Sequence, residues 1–320
     1  MTTLADLAEL VRVPAALSVP GDVVAGAAAA GTLDRRTPAL AGASVLLYWA
    51  GMAANDWADR RLDAVERPER PIPSGRVAPA AAVGIAAGLT AAGLGLAAAA
   101  GGRRATALAV PLAAAVWGYD LLAKNTAAGP AVMAACRGLD VLLGASGGRL
   151  HRALPAAVTV AAHTWTVTAL SRREVTGADT ALPLRTLAGT ALVAASAAAP
   201  AARPAARPAF RGAARCAADD QRADVIAAGH GPGRTRSAAI AAALPAVLAG
   251  WYAARYGAAQ ARVVRDPSAG RVRAAVGAGI TGLPALQGAL TARSGAGLLG
   301  LAVAAAAPLG RRLARKLSPT

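Results

Sequence analysis

Apolar residues run through this chain in long blocks separated by short, arginine-rich polar gaps, not in short periodic stripes. A helix needs roughly 20 consecutive apolar residues to cross a bilayer. Blocks of that order predict spans at about 13–31, 38–55, 78–100, 104–122, 128–147, 153–170, 182–200, 236–256, 273–291 and 295–310, the last one short. That is about nine or ten transmembrane helices. The blocks are built mainly from Ala, Gly, Val and Leu, and small residues let helix backbones approach closely in lipid. Ahead of the first block, Leu4, Leu7, Leu10 and Val11 predict a short amphipathic helix lying on the membrane surface. Asp6 and Glu9 precede the first apolar run without a basic leader, which argues against a cleaved signal peptide. Ala201–Thr235, with Arg203-Pro204 and Arg207-Pro208, reads as an exposed loop.

Composition agrees with that pattern. Of 320 residues, 55% are hydrophobic and only 16% charged, against about a quarter in a soluble domain; mean hydropathy is +0.43. The expected fold is therefore all-α, a polytopic transmembrane bundle of about nine helices forming one domain over 1–320. Net charge is +17, almost all from Arg. These arginines occupy the gaps between apolar blocks, where membrane topology and anionic headgroups favour them, so nucleic acid is not an expected partner. Arg60, Arg61, Arg67, Arg70 and Arg76 follow the second span, Arg172 and Arg173 the sixth, and Arg262, Arg265 and Arg271 occupy 257–272. Placing these gaps in the cytoplasm puts the N-terminus inside and the arginine-rich 201–235 segment, by alternation, outside. Cys136 and Cys216 make neither a disulfide framework nor a metal knuckle.

The chemistry concentrates in an acidic loop expected after the second span, Asn55-Asp56-Trp57-Ala58-Asp59-Arg60-Arg61-Leu62-Asp63. On a continuing helix, spacings of three, four and seven put Asn55, Asp56, Asp59 and Asp63 on one face. Carboxylates so placed repel unless a cation sits between them. All-oxygen ligation of this kind suits Mg²⁺ shared with substrate phosphates, and the arginines that follow suit bidentate phosphate binding.

Asn55-Asp56-x-x-Asp59-x-x-x-Asp63, followed by Arg67-Pro-Glu-Arg-Pro-Ile-Pro-Ser-Gly-Arg76, resembles the first aspartate-rich motif of the UbiA prenyltransferase family. The resemblance implies nine transmembrane helices around a central cavity, Mg²⁺ at two aspartate-rich motifs, and prenyl transfer from a diphosphate to an aromatic or other small or lipid acceptor. It implies that Asn55, Asp56 and Asp59 hold Mg²⁺–diphosphate, that Asp63 supports them, and that Arg70 contacts phosphate. Tyr119-Asp120-x-x-x-Lys124 resembles the family's tyrosine–lysine pair, at a spacing one residue longer than usual, with Lys124 reaching the diphosphate. The string from Tyr119 through Cys136-Arg137 to Leu142-Leu143-Gly144 looks like a bacterial EboC-like branch, implying a bacterial cytoplasmic membrane.

Where the family has its second motif, the loop after the sixth span carries only Glu174 and Asp179 as acids. Glu174 is the expected additional Mg²⁺ ligand and Asp179 a candidate substrate contact. Their sparseness keeps a second reading open, a non-catalytic or specialised prenyl-lipid binding or transport protein. A secondary transporter would show an inverted repeat, and none is visible. Ionisable residues inside spans tend to face cavities or one another. Asp22, lacking a local partner, is a candidate site residue, while Arg137 and Asp140 are expected to pair along one helix. His163 reads as a hydrogen-bonded packing residue and Gln287 as helix glue. Trp49, Trp117 and Trp165 are expected either in an interfacial belt or lining a cavity, where they would stabilise an allylic cation.

Overall fold

A proline in the first turn, where a missing N–H costs nothing, starts helix after helix along this chain. The computed structural model describes residues 2–13, 18–179, 181–200 and 232–306. Its elements are α1 (Leu4–Leu10), α2 (Val19–Ala30), α3 (Thr37–Glu66), α4 (Pro79–Gly118) and α5 (Gly129–Gly144). They continue with α6 (Leu150–Ser171), α7 (Ala181–Ala198), α8 (Pro232–Tyr252), α9 (Ala258–Arg265) and α10 (Ala269–Arg293), then α11 (Gly297–Ala306). Pro20, Pro38, Pro79 and Pro130 occupy the opening turns of α2 to α5. No strand occurs among the described residues. Most of the segment 201–235 and Cys216 lie outside them, as do 307–310 of the last predicted span.

α4 contains two of the predicted spans. Gly102 adopts a positive φ of 62° within it, a conformation glycine reaches without steric penalty. Trp117 Nε1 donates to Thr90 Oγ1 at 3.0 Å, yet 27 residues of straight helix would separate them by about 40 Å. The chain therefore doubles back at Gly102 into an antiparallel hairpin. Thr37–Glu66, Pro79–Ala123, Leu150–Ser171 and Ala181–Ala198 are long and apolar enough to cross a membrane.

The acidic motif lies on helix, not in a loop. α3 continues to Glu66 instead of stopping near 55, because the segment carries no Gly or Pro until Pro68. Small residues set the closest contacts. A Cβ at Gly26 of α2 would overlap the Val141 carbonyl of α5, and one at Gly144 of α5 would overlap the Val23 carbonyl. α2 and α5 thus pack backbone against backbone. One end of the bundle collects the arginine-rich connections. Arg172 donates to the Thr126 carbonyl, Ala178 N–H to Pro267 O at 3.0 Å, and Arg273 to Glu174 O at 2.8 Å.

Candidate active site

The helical register of α3 produces the site. Asn55 and Asp59, one turn apart, both accept from Lys124: Nζ lies 3.0 Å from Asn55 Oδ1 and 2.6 Å from Asp59 Oδ1. Asp56 and Asp63, two turns apart, share Arg70, whose Nη1 is 3.4 Å and 2.6 Å from their carboxylates. Asp56 also receives Arg12 at 2.5 Å. Asp56 and Asp63 are buried, so their charges depend on these partners. The cluster is held as an interleaved set of three aspartates and three cations.

Lys124 reaches this position through local backbone geometry. Residues Tyr119–Ala123 form a π turn, with Lys124 N–H bonded to Tyr119 O at 2.9 Å, five residues back. A π turn accommodates one residue more than an α turn. The unusual spacing of Tyr119 and Lys124 is absorbed there, and the ammonium arrives over α3. Beside it Asp120 is buried, with Oδ2 at 2.9 Å from where a Gly51 Cβ would sit; only glycine leaves room for that carboxylate.

Arg12 is a site residue that pattern reasoning missed. It has φ +47°, the sole positive φ among the described non-glycine residues, a conformation costing roughly 1–2 kcal/mol. The position is set by α1, whose Thr3 and Asp6 form a capping box. Asp6 and Glu9 both pair with Arg76 Nη1, at 2.7 and 2.8 Å. The Thr3 amide and hydroxyl, together with Arg76, hold the Asp6 carboxyl down at about 2. Leu10 is fully buried against the bundle. The surface helix is therefore clamped to the proline-rich segment after α3 and presents Arg12 to Asp56. The available signal was the arginine directly after the α1 apolar face.

The remaining expected residues sit elsewhere. Glu174 neighbours Arg273, and burial, opposed by that arginine, raises its carboxyl. No contact joins it to the α3 carboxylates among the described residues. Asp179 caps α7, accepting from Leu182 N–H at 2.8 Å. Asp22 is paired after all: Arg137 Nε lies 2.7 Å from it and Gln287 Nε2 2.6 Å. The expected Arg137–Asp140 pair is replaced by that cross-helix bridge, and Asp140 accepts from Ser44 of α3. The close α2–α5 approach places a carboxylate nearer to Arg137 than its own helix does. His163 packs as expected, its Nδ1 2.8 Å from Tyr252 Oη. Trp165 is 41% exposed, whereas Trp49 lines an apolar groove of about 840 Å³ with Pro20, Val24, Val45, Leu96 and Leu299.

The donors suit a hard divalent cation. Asn55 and Asp59 focus their oxygens on one cationic atom, and every nearby ligand is oxygen. Among the described residues no three His, Cys, Asp or Glu side chains form a preformed metal cage. Mg²⁺ does not require one, because it binds through one or two carboxylates, waters and substrate phosphates.

Comparison with known proteins bears on the family and the fold. The chain is 48% identical over 69 residues to the digeranylgeranylglyceryl phosphate synthase of Methanothrix thermoacetophila, covering 21% of this chain and 25% of that protein. It is 42% identical over 79 residues to the synthase of Methanopyrus kandleri, covering 25% and 28%. These matches thus span roughly a quarter of each relative's length. A solved structure of digeranylgeranylglyceryl phosphate synthase superposes with TM-score 0.61 at 14% identity, over 91% of this chain and 98% of that one. A UbiA homologue from Aeropyrum pernix K1 superposes with TM-score 0.56 at 19% identity, over 89% and 96%. At those identities the two structures speak for the fold alone. None of these matches bears on the EboC-like branch. The model of the UbiA prenyltransferase family matches residues 17–191, more than half of an integral membrane chain with that fold, and the protein belongs to the UbiA prenyltransferase family.

Proposed function

We propose that the protein transfers a prenyl group from a prenyl diphosphate to a hydroxyl-bearing acceptor within the membrane. The observation that carries this reading is Lys124 Nζ held between Asn55 and Asp59, beside Arg12 and Arg70 on Asp56. Cations drawn together by carboxylates at one bundle end form a receptor for a phosphate chain. Asn55, Asp56 and Asp59 would hold Mg²⁺, which when bound supplies charge neutralisation for the departing diphosphate. Arg12, Arg70 and Lys124 bind and orient the phosphates, and Asp63 keeps Arg70 in place. The bond from prenyl C1 to the diphosphate oxygen breaks, and the diphosphate leaves with the electron pair. The acceptor oxygen bonds to C1, and its proton passes to the released diphosphate. The apolar groove beside Trp49 shelters the isoprenoid chain from water. The arginine-rich end faces the cytoplasm in this reading. The names of the relatives favour an acceptor carrying a glyceryl phosphate.

The test uses membranes holding the protein, labelled geranylgeranyl diphosphate, and either Mg²⁺ or EDTA. Diphosphate release and a prenylated lipid with Mg²⁺, both lost in EDTA, are expected. Binding of the prenyl diphosphate without release under either condition would instead establish a prenyl-lipid binding protein.

A further inference from the structure

Ser44, Tyr48, Gly51, Asn55 and Asp59 follow one another at intervals of four, three, four and four along α3, so they form a single stripe. Its outer end is the Asn55–Asp59–Lys124 site. Its inner end enters a polar cluster buried in the bundle that the phosphate chemistry leaves unused. There Asp140 of α5 is completely buried and accepts from Ser44. The Arg137 guanidinium lies 5.6 Å from the Tyr48 ring centroid, and Arg137 is bridged at 2.7 Å to Asp22, itself 0% exposed. Arg137 and Gln287 both donate to the Ser18 carbonyl, at 3.2 and 2.7 Å.

Four oxygens in this cluster are buried without a hydrogen-bond partner, Asp140 Oδ2, Tyr48 Oη, Gln287 Oε1 and Asp22 Oδ2, the last lying 2.7 Å from the Arg137 guanidinium. Asp22 and Asp140 are two acidic side chains beside a single guanidinium, Arg137, which is already committed to Asp22 and Ser18. The cluster therefore has surplus capacity to accept hydrogen bonds deep in an apolar bundle, where unmet polar groups are rare and functional. A hydroxyl group satisfies it, donating to Asp140 and accepting from Tyr48; a carboxylate brings no donor. Seven residues of helix separate Tyr48 from Asn55, a rise of about 10 Å. A ligand hydroxyl on this cluster thus lies inward of the phosphates along the same stripe.

We propose that Ser44, Tyr48 and Asp140, braced by the Arg137–Asp22 bridge, form the acceptor subsite and select a neutral alcohol group over a carboxylate-bearing acceptor. This rests on the prenyl-transfer reading above and names its second substrate class. Diphosphate release from labelled geranylgeranyl diphosphate is measured with three probes in turn: geranylgeranylglyceryl phosphate, myo-inositol and 4-hydroxybenzoate. Release should be stimulated by one of the two alcohols and not by 4-hydroxybenzoate. Tyr48→Phe and Ser44→Ala should then raise KM for that alcohol about 10- to 100-fold and leave KM for geranylgeranyl diphosphate within about twofold. Asp140→Asn should do the same, and thermal unfolding in detergent identifies any variant that fails to fold. Stimulation by 4-hydroxybenzoate alone, by neither alcohol, or an equal rise in both KM values for the folded variants overturns the subsite. Absence of any release from the wild-type protein overturns the prenyl-transfer reading instead.

Discussion

Lys124→Met removes one charge from the centre of the site while keeping an unbranched side chain of similar length. Two consequences differ sharply in size. The Lys124 and Asp59 side chains are 16% and 26% exposed, so water screens their pairing, and its contribution to folding is about 0.2–1 kcal/mol. For a helical membrane protein of this size that corresponds to a fall in Tm of a few degrees at most. Towards a leaving diphosphate the same ammonium acts on charge that grows during reaction. Loss of one such stabilising donor costs about 2.7–4 kcal/mol, or roughly 10²–10³ in rate at 1.36 kcal/mol per tenfold. The assay is diphosphate release from geranylgeranyl diphosphate with Mg²⁺, beside thermal unfolding of the same detergent preparation. The expected result is a rate loss of at least about a hundredfold with an almost unchanged Tm; Lys124→Arg, which retains the charge, should recover part of the rate. A Lys124→Met protein within threefold of wild type, or one whose activity falls only in step with its folded fraction, would refute the reading of α3 as a phosphate receptor.

Two further outcomes follow from the fold. Deleting Leu122, 78% exposed within the π turn, should restore ordinary i→i+4 bonding and keep Lys124 over Asp59, leaving activity within a few fold; inserting an alanine at the same point should abolish it, as diphosphate release would report. Gly26→Ala and Gly144→Ala, whose new Cβ atoms would each meet a backbone carbonyl across the α2–α5 contact, should each cost about 1–3 kcal/mol. Guanidinium or thermal unfolding in detergent measures this, and stability equal to wild type would contradict the close packing.

Much of this protein was legible from the chain itself. Apolar blocks long enough to span a bilayer dictate an all-helical membrane fold, because backbone polar groups in lipid must be satisfied within the segment. Asn55, Asp56, Asp59 and Asp63 share one face by helical periodicity alone, so their proximity to one another needed no tertiary information. Partners from distant parts of the chain were a different matter. Nothing local indicates that Arg12 reaches Asp56, 44 residues away, or that Arg137 prefers Asp22 of α2 to Asp140 one turn along its own helix. Those choices depend on which helices touch. The α2–α5 contact is set by glycines meeting carbonyls across the interface. The extra residue before Lys124 reads as a departure in sequence, and only the π turn converts it into a register match. The loop holding Glu174 is drawn towards Arg273 by the packing of α6 and α10, not towards the carboxylates of α3. Short-range periodicity determines what one helix presents; close packing between helices decides which charge each residue meets.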